Sequence, residues 1–182
     1  MLEFLADFDD NDAITILKKD HTQVKDLFDE FDKTEDFSEK KGLAAKAIME
    51  LKIHAEIEEK IFYPAVRRQL DASIMNEADE EHHVAKLLIA ELEQMDGSEA
   101  HYDAKFKVLA ESVRHHIKEE ENDMLPEAHK LEMDFDALGK QLLAMKQQLK
   151  EGGVPLSSEE DLMQHAGKNA DSPARAASVE VY

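Results

Sequence analysis

Apolar residues recur along this chain every three to four positions, the period of a helix buried on one side. Ile14, Leu17, Val24, Leu27, Phe28 and Phe31 form one such stripe behind Asp12, a residue able to cap a helix that runs to about Lys33. After the turn Thr34-Glu35-Asp36-Phe37-Ser38, with Ser38 as the expected cap, a second stripe of Ala44, Ala47, Ile48, Leu51, Ile61 and Phe62 predicts a helix to about Tyr63. A third helix, from Asp71 or Ser73 to near Gly97, turns Met75, Ala78, Ala85, Leu88, Ile89, Leu92 and Met95 inward. A fourth restarts at Ser98 and reaches about Leu125, with Phe106, Leu109, Val113 and Met124 on its apolar face. A shorter fifth, about Asp134 to Lys150, carries Phe135, Leu138, Leu142, Leu143, Met145 and Leu149. The period fades after Glu151-Gly152-Gly153-Val154-Pro155, so residues 151–182 are expected to form a tail, mobile or engaged by a partner. Residues 1–11 are an acidic lead-in.

Polar residues interrupt these stripes at matched places. His21 falls on the first, His54 and Glu58 on the second, His82 on the third, His116 and Glu120 on the fourth. Both His-Glu pairs are four residues apart, hence on one side of a helix. A second Glu follows each pair directly (Glu59, Glu121), and a Pro lies ten residues after each His (Pro64, Pro126). Asp20-His21 through Phe28 also matches Glu81-His82 through Ile89, with apolar residues three, six and seven positions after each His. The spans from His21 to His54 and from His82 to His116 are 33 and 34 residues. A duplicated helical hairpin predicts an all-α, up-down-up-down four-helix bundle over residues 12–126, an appended helix over 127–150, and the tail.

Six inward His and Glu side chains are costly unless compensated, since an unpaired buried charge costs on the order of several kcal/mol. Bound cations resolve this, with carboxylates neutralising the charge and imidazoles serving as ligands. The mixed oxygen and nitrogen donor set suits iron, and also manganese, zinc or copper. His83 is the spare candidate ligand, brought inward by a small change of register. Glu59 and Glu121, about 100° further around their helices, read as groups beside the ligands or in solvent. His101, His129 and His165 lie off the stripes, and His115 shares a polar face with Glu119.

Composition narrows the partners. A formal net charge of −20 over 182 residues argues against nucleic acid and anionic membranes and favours cations. The absence of Cys excludes disulfides, iron–sulfur clusters and thiolate zinc sites. No apolar run approaches 18 residues, and the N-terminus lacks the basic and apolar regions of a signal peptide, so a cytoplasmic location is expected.

The two His-x-x-x-Glu-Glu blocks, their trailing Pro residues and the two leading His resemble the hemerythrin-like, or HHE cation-binding, proteins over about residues 12–126. The resemblance implies a non-haem di-iron centre, two Fe ions bridged by an oxo or hydroxo group, with zinc or manganese as alternatives. By position, His21 and His54 would bind one ion, His82 and His116 the other, with Glu58 and Glu120 bridging. Oxygen-carrying members have a further His where this chain has Lys86, so a ligand on the second ion is left to His83, His115, a carboxylate or water. That shifts the expected function from reversible oxygen carriage to binding or sensing oxygen, nitric oxide or peroxide, or to iron handling. One alternative is a peroxide-decomposing or ferroxidase-like enzyme, although only Glu80–His83 has the Glu-x-x-His spacing of a ferritin-like site. The other is a metal-free structural or interaction bundle. The site reads more as a metal- and small-ligand-binding centre than as that of a dedicated enzyme, and no catalytic residue is assigned.

Overall fold

The structure, a computed structural model, describes residues 11–97 and 101–163. Four long helical rods form an up-down-up-down bundle, and no strand occurs among the described residues. The first rod is α1 (Ala13–Lys33), capped by the Asp12 carboxylate, which accepts from the backbone N–H of Ile14 and Thr15. The second comprises α2 (Phe37–Ile57), a π-helical turn π1 (Glu58–Phe62) and α3 (Tyr63–Val66). The third is α4 (Ala72–Gln94); the fourth comprises α5 (Tyr102–Glu119), a second π-helical turn π2 (Glu120–Met124) and α6 (Leu125–His129). α7 (Phe135–Gly152) then packs on α1, α2 and π1. The expected cap Ser38 lies inside α2, which Asp36 caps instead; the expected restart at Ser98 falls outside the described residues.

The two prolines do not end their helices, contrary to the expectation that the rods stop near Tyr63 and Leu125. A proline cannot donate to the carbonyl four residues back, and its ring crowds that carbonyl. Widening the turn relieves both problems. Tyr63 N–H therefore bonds the Glu58 carbonyl, and Leu125 N–H the Glu120 carbonyl, each five residues back. The rods continue to Val66 and His129, and each π turn opens at the inward Glu.

The core divides into two apolar clusters. One holds Leu17, Ile53, Ile57, Phe62, Met75, Met124 and Leu125, extended by Leu138, Leu142 and Leu149 of α7. The other holds Val24, Phe28, Phe31, Leu51, Ile89, Phe106, Val113 and Ile117. The Phe106 ring stands 4.3 Å from that of Phe31 and 5.8 Å from that of Phe28, centroid to centroid. Burying such side chains stabilises by roughly 1.5–3 kcal/mol each. Along the rods the inward His and Glu fall between the two clusters, so a polar layer crosses the bundle.

Within the stretch 151–182 that lost helical periodicity, residues 153–163 lie across the bundle and end in a helical turn at 158–163. Glu160 is buried and pairs with Lys52; Glu159 bonds His83. Residues 164–182 and the acidic lead-in 1–10 lie outside the described residues. No helix among the described residues is long and apolar enough to cross a membrane.

Candidate metal centre

The polar layer brings together His21, His54, Glu58, His82, His116 and Glu120, all buried. His21 and His54 form one imidazole pair with ring centroids 4.9 Å apart, His82 and His116 another at 4.8 Å, both edge-on. Glu58 spans the two pairs: Oε1 is 3.2 Å from His54 Nε2, and Oε2 is 3.3 Å from His82 Nε2. Glu120 Oε2 stands 3.1 Å from His21 Nε2 and 3.5 Å from His116 Nε2. Four imidazoles thus turn Nε2 toward two carboxylates that reach both pairs.

Each imidazole is oriented from behind. Nδ1 of His21 bonds Glu121 at 3.1 Å, that of His54 Asp20 at 3.5 Å, that of His82 Glu59 at 2.9 Å, and that of His116 Glu81 at 2.7 Å. With Nδ1–H donating outward to a carboxylate, Nε2 is left to face the centre, the arrangement that fixes ligand histidines on a metal. Lys25 pairs with Glu121 and Lys86 with Glu59, holding those carboxylates in place. Lys86 therefore points away from the centre.

The donors fit a cation because several are otherwise unsatisfied. His21 Nε2, His54 Nε2, both Glu58 oxygens and Glu120 Oε2 are buried and make no hydrogen bond, although His21 faces Glu120 at 3.1 Å, His54 faces one Glu58 oxygen at 3.2 Å, and the other Glu58 oxygen faces His82 Nε2 at 3.3 Å. An imidazole lone pair and a carboxylate oxygen repel at that distance unless positive charge lies between them. Protons can supply that charge. Burial opposes a charge on His54, but Glu58 and Asp20 outweigh it and raise its pKa to about 10. Burial likewise opposes a charge on His82, while Glu58 and Glu59 raise it to about 9. Burial pushes Glu58 upward, and the imidazoles of His54 and His82 overcome this to hold it well below the usual carboxylate range. A metal ion supplies the same positive charge to donors already placed for it.

Tyr63, from the start of α3, is a site residue that sequence reasoning missed. Its hydroxyl donates to Glu120 Oε1 at 2.8 Å and lies 3.1 Å from His82 Nε2. Burial raises the pKa of this phenol well above its usual value, and the Glu120 and Glu58 carboxylates add to the effect. No repeat could reveal it, because the equivalent position in the second hairpin is Leu125. Asp20 and Glu81 were also missed, although each precedes its His at the same place in the repeat. His83 does not join the cluster: its side chain is 52% exposed and bonds Glu159. His115 is also outside, paired with Glu119.

Beside the imidazoles lies a cavity of about 50 Å³, walled by Val24, Leu51, Ala85, Ile89, Val113 and Ile117 and covered by Val154, Ser157 and Glu160. It is apolar, and larger than the roughly 10–15 Å³ that one water requires.

This architecture has known relatives. A solved structure of a hemerythrin HHE cation-binding domain-containing protein from Mycobacterium kansasii superposes with a TM-score of 0.65 at 24% identity, covering 84% of this chain and 98% of that one, which establishes the likeness of fold. A DNA nickase from Nostoc sp. is 25% identical over 119 residues, 65% of this chain but 34% of that protein, so the chain spans about a third of this relative's length. The model of the hemerythrin HHE cation-binding domain matches residues 12–128, and the chain belongs to that family.

Proposed function

We propose that this chain holds two non-haem iron ions in its polar layer and uses them to bind or sense oxygen, nitric oxide or peroxide. The observation that carries this reading is the convergence of both histidine pairs on Glu58 and Glu120, with His21, His54 and both carboxylates keeping unsatisfied donor atoms, beside an apolar cavity sized for a few atoms. His21 and His54 would hold one ion, His82 and His116 the other, with Glu58 and Glu120 reaching both. Iron, when bound, supplies a redox-active Lewis acid at which a diatomic or a peroxide can bind. The apolar walls admit a small neutral guest and exclude water. Tyr63 supplies an oxygen donor on the side where Lys86 has no access to the centre.

That buried phenol favours a second reading, peroxide decomposition, in which Tyr63 holds and returns a proton. Loss of peroxide consumption in both His54→Ala and Tyr63→Phe would support turnover, whereas unchanged rates would remove it. The nickase name of the Nostoc relative supports no nucleic-acid partner here, because a chain with a net charge of −20 repels a phosphate backbone.

The test of the main reading is metal analysis with absorption spectroscopy after aerobic purification from iron-supplemented cells. We expect about two irons per chain, as two pairs of histidines require, and near-ultraviolet bands that change on adding nitric oxide. Colourless, iron-free protein would defeat the proposal.

A further inference from the structure

Next to the second histidine pair a cleft of about 530 Å³ opens between the first half of α4 and the α5–π2–α6 rod. Its walls carry Asp71, Glu77, Glu81, Glu119, Asp123 and Glu127, and Lys130, the basic residue lining it, is paired with Glu127. At its inner end are His116 and Glu120. Glu120 is 1% exposed, and its Oε2 is among the buried atoms without a hydrogen bond. The cleft therefore runs from an acidic surface to two residues of the metal centre, one of them carrying an unsatisfied donor.

Glu81, His115 and Glu119 stand beside this cleft with ligand atoms all within 4.8 Å of one another. His115 Nε2 is 3.0 Å from Glu119 Oε1 and 3.7 Å from Glu81 Oε1. The other Glu81 oxygen bonds His116 Nδ1. Glu81 thus touches an outer group of donors with one oxygen and an inner imidazole with the other. On α5 the outer pair His115–Glu119 and the inner pair His116–Glu120 have the same four-residue spacing, one position apart.

We propose that this cleft is the route by which divalent cations reach the centre, and that Glu81, His115 and Glu119 form a third, exchangeable cation site along it. The inference rests on the dinuclear reading above. A carboxylate-lined cleft with low-dielectric walls raises the local concentration of cations and their association rate by about 10–10³-fold. His115, with a side chain 63% exposed, keeps the outer site open to water, so an ion held there can leave again. The first hairpin offers no equivalent: Asp20, the counterpart of Glu81, is neutralised by Lys146 of α7. The other cavity at the centre is walled mainly by apolar side chains, and so suits a neutral ligand better than a cation.

The test is anaerobic stopped-flow mixing of the metal-free full chain with Co²⁺, followed by absorption, for wild type and for a His115→Ala/Glu119→Gln double variant. Neither residue contacts Glu58, Glu120 or an inner imidazole in the contacts described above. We expect the inner centre of the double variant to fill about tenfold more slowly, with the wild-type rate the more sensitive to salt. Both proteins should end with two tightly held ions, and only the wild type should take up a third, weakly held Co²⁺ at excess metal. Equal filling rates, or no third ion in the wild type, would overturn the inference while leaving the dinuclear centre standing. Failure of the wild type to take up any Co²⁺ would overturn both together, and failure of the double variant alone would overturn the claim that the outer site serves only entry. A surface ion pair without a cation role would move neither rate nor stoichiometry.

Discussion

The two hairpins reach the polar layer with the same parts in the same order. In each, the carboxylate just before the first His orients the second His of that hairpin: Asp20 serves His54, and Glu81 serves His116. In each, the Glu after the inward Glu crosses to the first His of the other hairpin: Glu59 serves His82, and Glu121 serves His21. A Lys four residues after that His then holds the crossing carboxylate, Lys86 on Glu59 and Lys25 on Glu121. The halves part company at two places. Tyr63 brings a hydroxyl into the second half where its counterpart Leu125 packs in the apolar core. Asp20 is covered by Lys146, whereas Glu81 faces His115 beside an acidic cleft. Duplication accounts for the donors and their orientation; the chemistry particular to this chain lies where the repeat is broken.

The largest expected effect removes what the halves share. Because Glu58 faces both His54 and His82, Glu58→Gln should strip both ions, and with them a stabilisation of about 4 kcal/mol per ion at free metal a thousandfold above Kd. Metal content and thermal melting check this. One ion retained per chain would show that the halves load independently.

Next comes pH. In metal-free protein His54 and His82 have pKa values raised to about 10 and about 9, so their contribution to stability is complete below their ordinary 6.5 and is lost as pH rises toward 9–10. Glu59, pushed upward by burial but lowered to about 2 by His82 and Lys86, contributes above its ordinary 4.5 and loses that as pH falls toward 2. Denaturant titrations should therefore find metal-free protein most stable between pH 4.5 and 6.5. Metal loading, which needs neutral imidazoles, should abolish the alkaline loss. A flat profile from pH 6.5 to 9 without metal would contradict the protonated pairs.

A smaller effect tests the half that α7 covers. A Cβ on Gly139 would stand 2.0 Å from the Asn11 carbonyl oxygen, backbone that a side-chain rotation cannot relieve. Gly139→Ala should cost about 2–3 kcal/mol in urea unfolding, as overpacking does. It should leave two ions bound, because α7 supplies no ligand. The smallest effect sharpens the asymmetry itself. Tyr63→Phe should change stability by about 1 kcal/mol, the worth of one hydrogen bond. It should nevertheless perturb the spectrum of the metal held by His82 and His116 more than that of the other, which it reaches only through Glu120; equal perturbation of both would refute the assigned asymmetry.

The ligand candidates were legible because their spacing recurs. His21 and His82, and the pairs His54–Glu58 and His116–Glu120, each had a copy with which to be aligned, and each broke an apolar stripe. The bundle followed from the same stripes. The π turns were not legible, because Pro64 and Pro126 read as stops, and only the backbone shows that a widened turn absorbs them. Tyr63 sits beyond the stripe and lacks a repeat partner. His83 was considered from sequence because it adjoins His82, yet one position along a helix is a rotation of about 100°, and it faces out. Residues 153–163 carry no period, so their contact with the bundle through Glu159 and Glu160 could come only from tertiary structure.

The central claim is that six side chains from two hairpins converge on two cations. Anomalous diffraction from crystals of metal-loaded protein tests it most directly. The account predicts two strong peaks per chain in the polar layer, one beside His21 and His54, the other beside His82 and His116, with Glu58 and Glu120 between them. A single peak, or none within reach of those six side chains, would contradict it.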